Sequence, residues 1–252
     1  MGMLGSSVVS EMAPLKWPTE NEVTMPADYI NDFSYQFSID PKTTALVVVD
    51  LQYATGSRDH GLGKLLQDQG RLEEAKYRFS RIDDFVLPNT QRLLKAFRNA
   101  GARVVYLSYG AENADCSDVP LHIRGLVKAT NNIEGQKEHE IVEDVKPNNG
   151  ELVLNKVTMG GFGSTGIESR LRAMGITEIV TVGVSTNNCV GMTAMEAADR
   201  GFGVVLVSDA TGTCDDEAQD GFEAMFLRLW GRVMDTEDVI SELTGAVSQA
   251  AE

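Results

Sequence analysis

The chain has 252 residues, of which 42% are hydrophobic, and its formal net charge is −15 at pH 7. The negative charge disfavours nucleic acid and anionic membranes as partners, and the apolar content argues against disorder throughout the chain. No apolar stretch reaches the roughly 18 residues of a transmembrane helix. The three cysteines are too few for a disulfide framework, so we expect a cytoplasmic protein.

The first 40 residues differ from the rest of the chain. Residues 1–40 are polar and contain three of the seven prolines, which predicts an extended arm over the protein surface. The remaining length, residues 41–252, suits a single α/β domain with a sizeable core.

Within this domain, apolar segments alternate with helical patterns. The segments typical of strands are 44–49, 103–108, 151–156, 178–182, 203–209 and 232–234. Helical patterns cover 64–100 with a break at Pro88, 167–174, 190–200 and 222–230. This alternation predicts an α/β fold, a Rossmann-like doubly wound sheet that is mostly parallel, with helices on both faces. The long polar stretch 110–150 is either functional or a solvated excursion.

Three chemically competent side chains each follow or end a different predicted strand. Asp50 follows the first apolar run, Lys156 ends the third, and Cys189 lies on the turn after the fourth. A parallel sheet brings such strand ends to one edge, where ligands bind in open α/β folds. Singly, Asp50 is also a candidate helix cap and Lys156 a candidate solvated strand end.

Cys189 has the most informative local setting of the three. A thiol at a strand-to-helix turn lies near backbone N–H groups and the positive end of the helix dipole, which favour a thiolate nucleophile. The alternative is a buried structural cysteine, since free cysteine is among the most buried residue types.

These motifs resemble those of the isochorismatase-like cysteine hydrolases. The matching segments are Val-Val-Asp-Leu-Gln at 48–52, Lys156 followed by Gly-Phe at 161–162 and Thr-Gly-Ile-Glu at 165–168, and Gly-Val-Ser-Thr at 183–186 leading to Cys189. The resemblance spans roughly residues 40–245. It implies an Asp50-Lys156-Cys189 triad and a cis peptide bond before Ser185. It also implies an oxyanion hole formed by the backbone N–H groups of Ser185 and Cys189.

The resemblance implies the amidohydrolase branch, similar to N-carbamoylsarcosine, biuret and ureidoacrylate amidases. Cys189 would attack a small amide or ureido (carbamoyl) compound, Asp50 would carry protons, and ammonia would leave through an acyl-enzyme. Two alternatives stay open: a vinyl-ether or ester hydrolase on the same site, and a non-catalytic binding or assembly protein with this fold.

Several expectations concern ligands and assembly. The chain has three histidines and no Asp-x-His motif, so we predict no metal and no cofactor. Candidate substrate-binding residues are Tyr53, Arg58, Phe162, Thr186 and Asn187. Arg58 suits a substrate carboxylate or carbonyl, although it is also a candidate surface residue, and Phe162 suits an aromatic wall or the core. Relatives of this fold commonly form dimers or tetramers, so we expect a homo-oligomer.

Overall fold

The computed structural model describes residues 29–250. The predicted arm therefore lies outside the described residues up to position 28. Its last part contains a short 3-10 helix, Tyr29–Phe33, and joins the domain at Ile39, which is fully buried. The Ile39 N–H donates to a carboxylate oxygen of Glu242 at 2.8 Å, so the end of the arm is fixed to the last helix.

Six strands form one parallel sheet. They are β1 (Thr44–Val49), β2 (Arg103–Tyr109), β3 (Leu152–Lys156), β4 (Glu178–Val184), β5 (Gly203–Gly212) and β6 (Arg232–Met234). Their order is β3-β2-β1-β4-β5-β6, and every neighbouring pair is parallel. The strand order reverses between β1 and β4, because β2 and β3 follow on one side of β1 whereas β5 and β6 follow on the far side of β4. A crevice is expected at the carboxyl ends of β1 and β4, where such a reversal occurs.

Helices cover both faces of the sheet. In the described part of the chain the α-helices are α1 (Tyr53–Gly56), α2 (Gly61–Asp68), α3 (Lys76–Arg81), α4 (Leu87–Asn99), α5 (Leu121–Ala129), α6 (Ile167–Ala173), α7 (Gly191–Asp199), α8 (Asp216–Leu227) and α9 (Thr236–Ala250). Alternate residues of β1 enter two separate cores: Leu46 and Val48 pack with Phe97 of α4, whereas Val47 packs with Leu171 of α6. The predicted doubly wound α/β fold is confirmed.

The predicted helix break at Pro88 is wrong. The chain continues from α3 through a π-helical turn, Ile82–Val86, directly into α4. Pro88 lies in the first turn of α4, where its missing N–H group costs little. The last predicted helix is also shifted, because Asp215 caps α8 by accepting a hydrogen bond from the Ala218 N–H at 2.8 Å. That cap starts α8 six residues before the predicted position.

The stretch 110–150 packs against the carboxyl end of β2. It contains α5 and two short 3-10 helices, Lys137–His139 and Glu143–Val145. Val119 and Val127 pack with Tyr109, the last residue of β2, in a small separate core. Within residues 29–250, no helix is long and apolar enough to cross a membrane.

Candidate active site

Asp50 leaves β1 in an unusual backbone conformation. Its φ angle is +53°, a region that non-glycine residues seldom occupy and that often marks functional sites. Two hydrogen bonds hold it: its N–H donates to the Leu107 carbonyl at 2.9 Å, and its own carbonyl accepts from the Thr55 hydroxyl at 2.6 Å. The carboxyl group is therefore fixed at the carboxyl end of the sheet.

Lys156 and Asp50 form a buried ion pair. Lys156 Nζ lies 2.9 Å from Asp50 Oδ2, and the two side chains are 0% and 2% exposed. Lys156 also donates to the Thr158 carbonyl at 3.3 Å, and its Nζ lies 4.4 Å from the centre of the Tyr109 ring. Burial lowers the pKa of Lys156, but the charges of Asp50 and Cys189 and the hydrogen bonds to them together outweigh burial, so the pKa is raised.

The ion pair with Lys156 does not keep the pKa of Asp50 at its ordinary value. Burial raises the pKa of its carboxyl group above the ordinary value, although Lys156 acts in the opposite direction. The second carboxylate oxygen, Oδ1, is buried without a hydrogen-bond partner. An unsatisfied acceptor with a raised pKa is suited to receive a proton.

Cys189 lies on a π-helical turn, Thr186–Val190, between β4 and α7. The turn follows a cis Val184–Ser185 peptide bond, and the Ser185 carbonyl accepts from the N–H groups of Asn188 and Val190 at 3.0 and 3.2 Å. The half-buried cysteine is therefore held by its own turn, with the Thr193 hydroxyl donating to its carbonyl at 2.7 Å.

The surroundings of Cys189 raise the pKa of its thiol. Burial and the charge of Asp50 raise its pKa to about 12, against the lowering effect of Lys156. Burial and the neighbouring carboxylate thus act against the thiolate that the helix terminus is expected to favour, whereas Lys156 acts for it.

Cys189 and Asp50 line one cavity of about 230 Å³. Its polar lining includes Arg78, Tyr109 and Ser185, and its apolar lining includes Leu62, Ile123, Leu126, Val127 and Met159. The stretch 110–150 therefore contributes a wall of the cavity through α5. A second cavity of about 250 Å³, near Phe37 and Trp230, has no acidic, basic or thiol group in its lining, whereas the first combines a thiol, a carboxyl group and a guanidinium group.

Arg78 is a cavity residue that the sequence did not indicate. It lies on α3, where its Nη1 donates to the Ser185 hydroxyl at 2.7 Å and its Nη2 donates to the Thr55 carbonyl at 3.0 Å. Its Nε is buried without a partner. No strand end or motif marks this position, since it lies within a helical stretch rich in charged residues.

The predicted substrate-binding residues lie outside the cavity lining. Arg58 pairs with Asp83, and its guanidinium lies 5.7 Å from the centre of the Phe79 ring, so its charge is already engaged. Phe162 is 8% exposed within the core between β1 and α6, where its ring packs on Phe202 at 5.8 Å. Its core alternative is therefore the correct one.

The other three candidates brace neighbouring structure. Tyr53 packs edge-on against His60 at 4.9 Å. The Thr186 hydroxyl donates to the Gln219 side chain at 2.8 Å, and the Asn187 side chain accepts from the Thr213 hydroxyl at 2.7 Å. The last two contacts tie the Cys189 turn to α8 and to the end of β5, so both residues hold the turn. Among residues 29–250, no group of three or more His, Cys, Asp or Glu side chains is arranged to hold a metal ion.

The comparisons with known proteins agree on one family. A model of the isochorismatase domain matches residues 44–238. Ureidoacrylate amidohydrolase RutB of Serratia proteamaculans is 27% identical over 226 residues, covering 84% of this chain and 87% of the relative. The structure of a cysteine hydrolase from Pseudomonas syringae superposes with a TM-score of 0.67 at 22% identity, covering 84% of this chain and 97% of that one.

A second solved structure is similar in both fold and sequence. N-carbamoylsarcosine amidase from Thermoplasma acidophilum has a TM-score of 0.57 and 26% identity, covering 77% of this chain and 97% of that one. The family model spans most of the chain and includes all three strand-end residues. This chain therefore belongs to the isochorismatase family of hydrolases.

Proposed function

We propose that this protein is a cysteine-dependent hydrolase that cleaves a C–N bond of a small amide or ureido compound and releases ammonia. The observation that carries the proposal is a thiol that shares one cavity with a buried, ion-paired carboxylate. Relatives named as ureidoacrylate amidohydrolase and N-carbamoylsarcosine amidase support the same reaction class.

In the first half-reaction, the Cys189 sulfur attacks the substrate carbonyl carbon while its proton moves to Asp50. The C–S bond forms, and the carbonyl electron pair moves to oxygen, where the backbone N–H groups of Ser185 and Cys189 are the expected donors. When this intermediate collapses, the C–N bond breaks and the departing nitrogen takes the proton from Asp50. The pKa values of both Cys189 and Asp50 are raised. Each group can therefore carry the proton during the transfer.

In the second half-reaction, water attacks the acyl-enzyme as Asp50 accepts one of its protons. The C–S bond then breaks, and the sulfur recovers a proton from Asp50. Lys156 keeps its charge throughout, which stabilises the ionised carboxylate and the departing thiolate. A primary amide releases ammonia in the first half-reaction. A ureido compound releases it directly, or later from the carbamate that forms when the substituted amine leaves first.

A vinyl-ether or ester hydrolase would release no nitrogen from its substrate. Ammonia release from a panel of primary amides and ureido acids therefore tests the proposal directly. We expect Cys189→Ser to abolish release, while Cys116→Ser and Cys214→Ser keep most of it, because neither of these cysteines lines the cavity. Full activity in Cys189→Ser, or ester cleavage with no ammonia from any amide, would contradict the proposal.

A further inference from the structure

Helix α5 presents an apolar face to the cavity that contains Cys189. Ile123, Leu126, Val127 and Thr130 follow one another at helical spacing, which places them on one face of α5, and all four line the cavity. Val127 also packs in the small core beside β2. Leu126, in contrast, is 42% exposed and belongs to none of the three cores of the described chain. The Thr130 hydroxyl donates to the Leu126 carbonyl at 2.8 Å, so this polar group is already used within the helix.

Two further apolar side chains line the same cavity from other segments. Leu62 lies on α2, which contacts α5, and Met159 lies on the glycine-rich stretch that follows β3. Both are only half-buried, as is Ile123. Apolar surface that remains uncovered beside a nucleophile is typical of a site that receives an apolar part of its ligand.

The charged groups of the lining belong to one connected network around the reacting end. Arg78 donates to the Ser185 hydroxyl at 2.7 Å and to the Thr55 carbonyl at 3.0 Å, and the Thr55 hydroxyl donates to the Asp50 carbonyl at 2.6 Å. Among the described residues that line the cavity, Asp50 and Arg78 are the charged ones. The wall formed by α2 and α5 therefore carries no charge.

The volume of the cavity is sufficient for a hydrocarbon group in addition to the reacting amide. An apolar cavity of about 150 Å³ can hold a benzene molecule, whereas this cavity has a volume of about 230 Å³. It can therefore accommodate a carboxamide group together with a hydrocarbon group of about four to six carbons.

We propose that α5 determines substrate specificity, and that the compound hydrolysed carries an uncharged hydrocarbon substituent, branched or aromatic, that packs against Ile123 and Leu126. This inference rests on the proposed function and adds the class of substrate. The carbonyl carbon lies at Cys189, and the substituent extends toward α2 and α5. Its burial removes apolar surface of both ligand and protein from water, which favours binding.

The experiment compares uncharged ligands that differ in one methyl or hydroxyl group. The pairs are 3-methylbutanamide with 3-hydroxybutanamide, and isobutylurea with 2-hydroxypropylurea. Acetamide, propanamide and butanamide form a series of increasing length. Ammonia release is measured for each compound, and binding to Cys189→Ala protein is followed by calorimetry, which needs no turnover.

The variants change one face of α5 at a time. Leu126→Asn places a polar side chain of similar size in the cavity wall, and the exposure of Leu126 makes it compatible with the fold. Leu126→Met is the conservative variant. Leu121→Asn is the matched control, because Leu121 lies on the same helix, is 82% exposed and does not line the cavity.

We expect the wild type to favour the hydrocarbon member of at least one pair by about 10–100-fold in kcat/KM, the range in which apolar pockets discriminate such groups. Along the series, kcat/KM should rise by about three- to fourfold per methylene group. Leu126→Asn should reduce the preference by about tenfold, mainly through KM, whereas Leu126→Met and Leu121→Asn should keep it. Binding should show a negative heat-capacity change that grows with the size of the hydrocarbon group.

The outcomes separate this inference from the proposed function. Ammonia release with no preference for the hydrocarbon members would overturn the inference and leave the hydrolase intact. Equal effects of Leu126→Asn and Leu121→Asn would also overturn it, because the helix would then act through stability alone. The inference fails as well if Cys189→Ala protein binds neither hydrocarbon member more tightly than its hydroxylated partner. Selective binding of the hydrocarbon members without ammonia release from any compound would support the apolar site and refute the proposed reaction.

Discussion

Replacing Asp50 with asparagine should lower the pKa of the Cys189 thiol and, at the same time, lower the rate of turnover. In the wild type, burial and the charge of Asp50 raise the pKa of Cys189 to about 12. Asp50→Asn removes the negative charge and keeps the shape of the side chain, so Lys156 loses its buried counter-ion. A Cys189 thiolate can then take the place of the carboxylate beside the ammonium, and the thiol pKa should fall.

The size of this fall follows from the charge that is removed. A charge within about 4–6 Å shifts a pKa by roughly 1–3 units, so the Cys189 pKa should drop from about 12 to between about 9 and 11. The proton acceptor is lost at the same time, so kcat should decrease by about 10²–10⁴-fold, the usual contribution of a general base. The variant should therefore have a more acidic nucleophile and a slower reaction.

The assay measures the rate of alkylation by iodoacetamide as a function of pH. It uses a Cys116→Ser, Cys214→Ser background, because Cys214 is exposed and would react first. The rate for the parent protein should still be rising at pH 10, whereas the rate for Asp50→Asn should reach its half-maximum at lower pH. An unchanged alkylation profile, or wild-type turnover in Asp50→Asn, would refute the role of Asp50 in both the charge balance and the proton transfer.

Three further predictions concern the backbone, metal and assembly. Gly183→Ala should lower the free energy of unfolding, measured in urea, by more than about 3 kcal/mol. The reason is that Gly183 has a φ of +116° and that a Cβ there would lie 2.0 Å from the Val49 carbonyl oxygen. The control is Gly221→Ala in α8, where the added Cβ meets no atom within 4 Å, so this variant should be neutral or stabilising. Ammonia release should survive dialysis against a chelator, and a metal requirement restored by zinc or manganese would contradict this. We also expect a homo-oligomer by light scattering. If the arm, which joins the domain at the buried Ile39, also contacts a neighbouring subunit, deletion of the first 30 residues should lower both the oligomeric state and the activity. A truncated protein that keeps its oligomeric state and its turnover would refute that role of the arm.

The sheet and the strand-end residues were predictable because their signals are local. Apolar β-branched runs mark strands that are buried on both faces, and a parallel sheet forces their carboxyl ends to one edge. Asp50 and Lys156 thus meet at 2.9 Å although they are 106 residues apart in the chain. Neither position needed any knowledge of side-chain packing.

The cavity residues that lie outside the strand ends were not predictable in the same way. Arg58 and Arg78 lie 20 positions apart in a region of the same composition, and only tertiary contacts distinguish them. Arg58 finds a carboxylate in Asp83 and is removed from the site. Arg78 instead donates to two neutral acceptors and lines the cavity. Which arginine has a partner depends on how α3 packs against the Cys189 turn, and hydrophobic periodicity does not report that packing.

The site therefore has two parts, and different elements of the fold fix the positions of their residues. The proposed catalytic groups lie at the ends of β1 and β3 and on the turn after β4, so the sheet register fixes their geometry. Arg78 lies on α3, and most of the apolar wall lies on α2 and α5, outside the sheet, so these residues can vary without displacing the strand ends. A substitution on these helices should therefore alter the shape and charge of the cavity while the proposed acid–base groups stay in place.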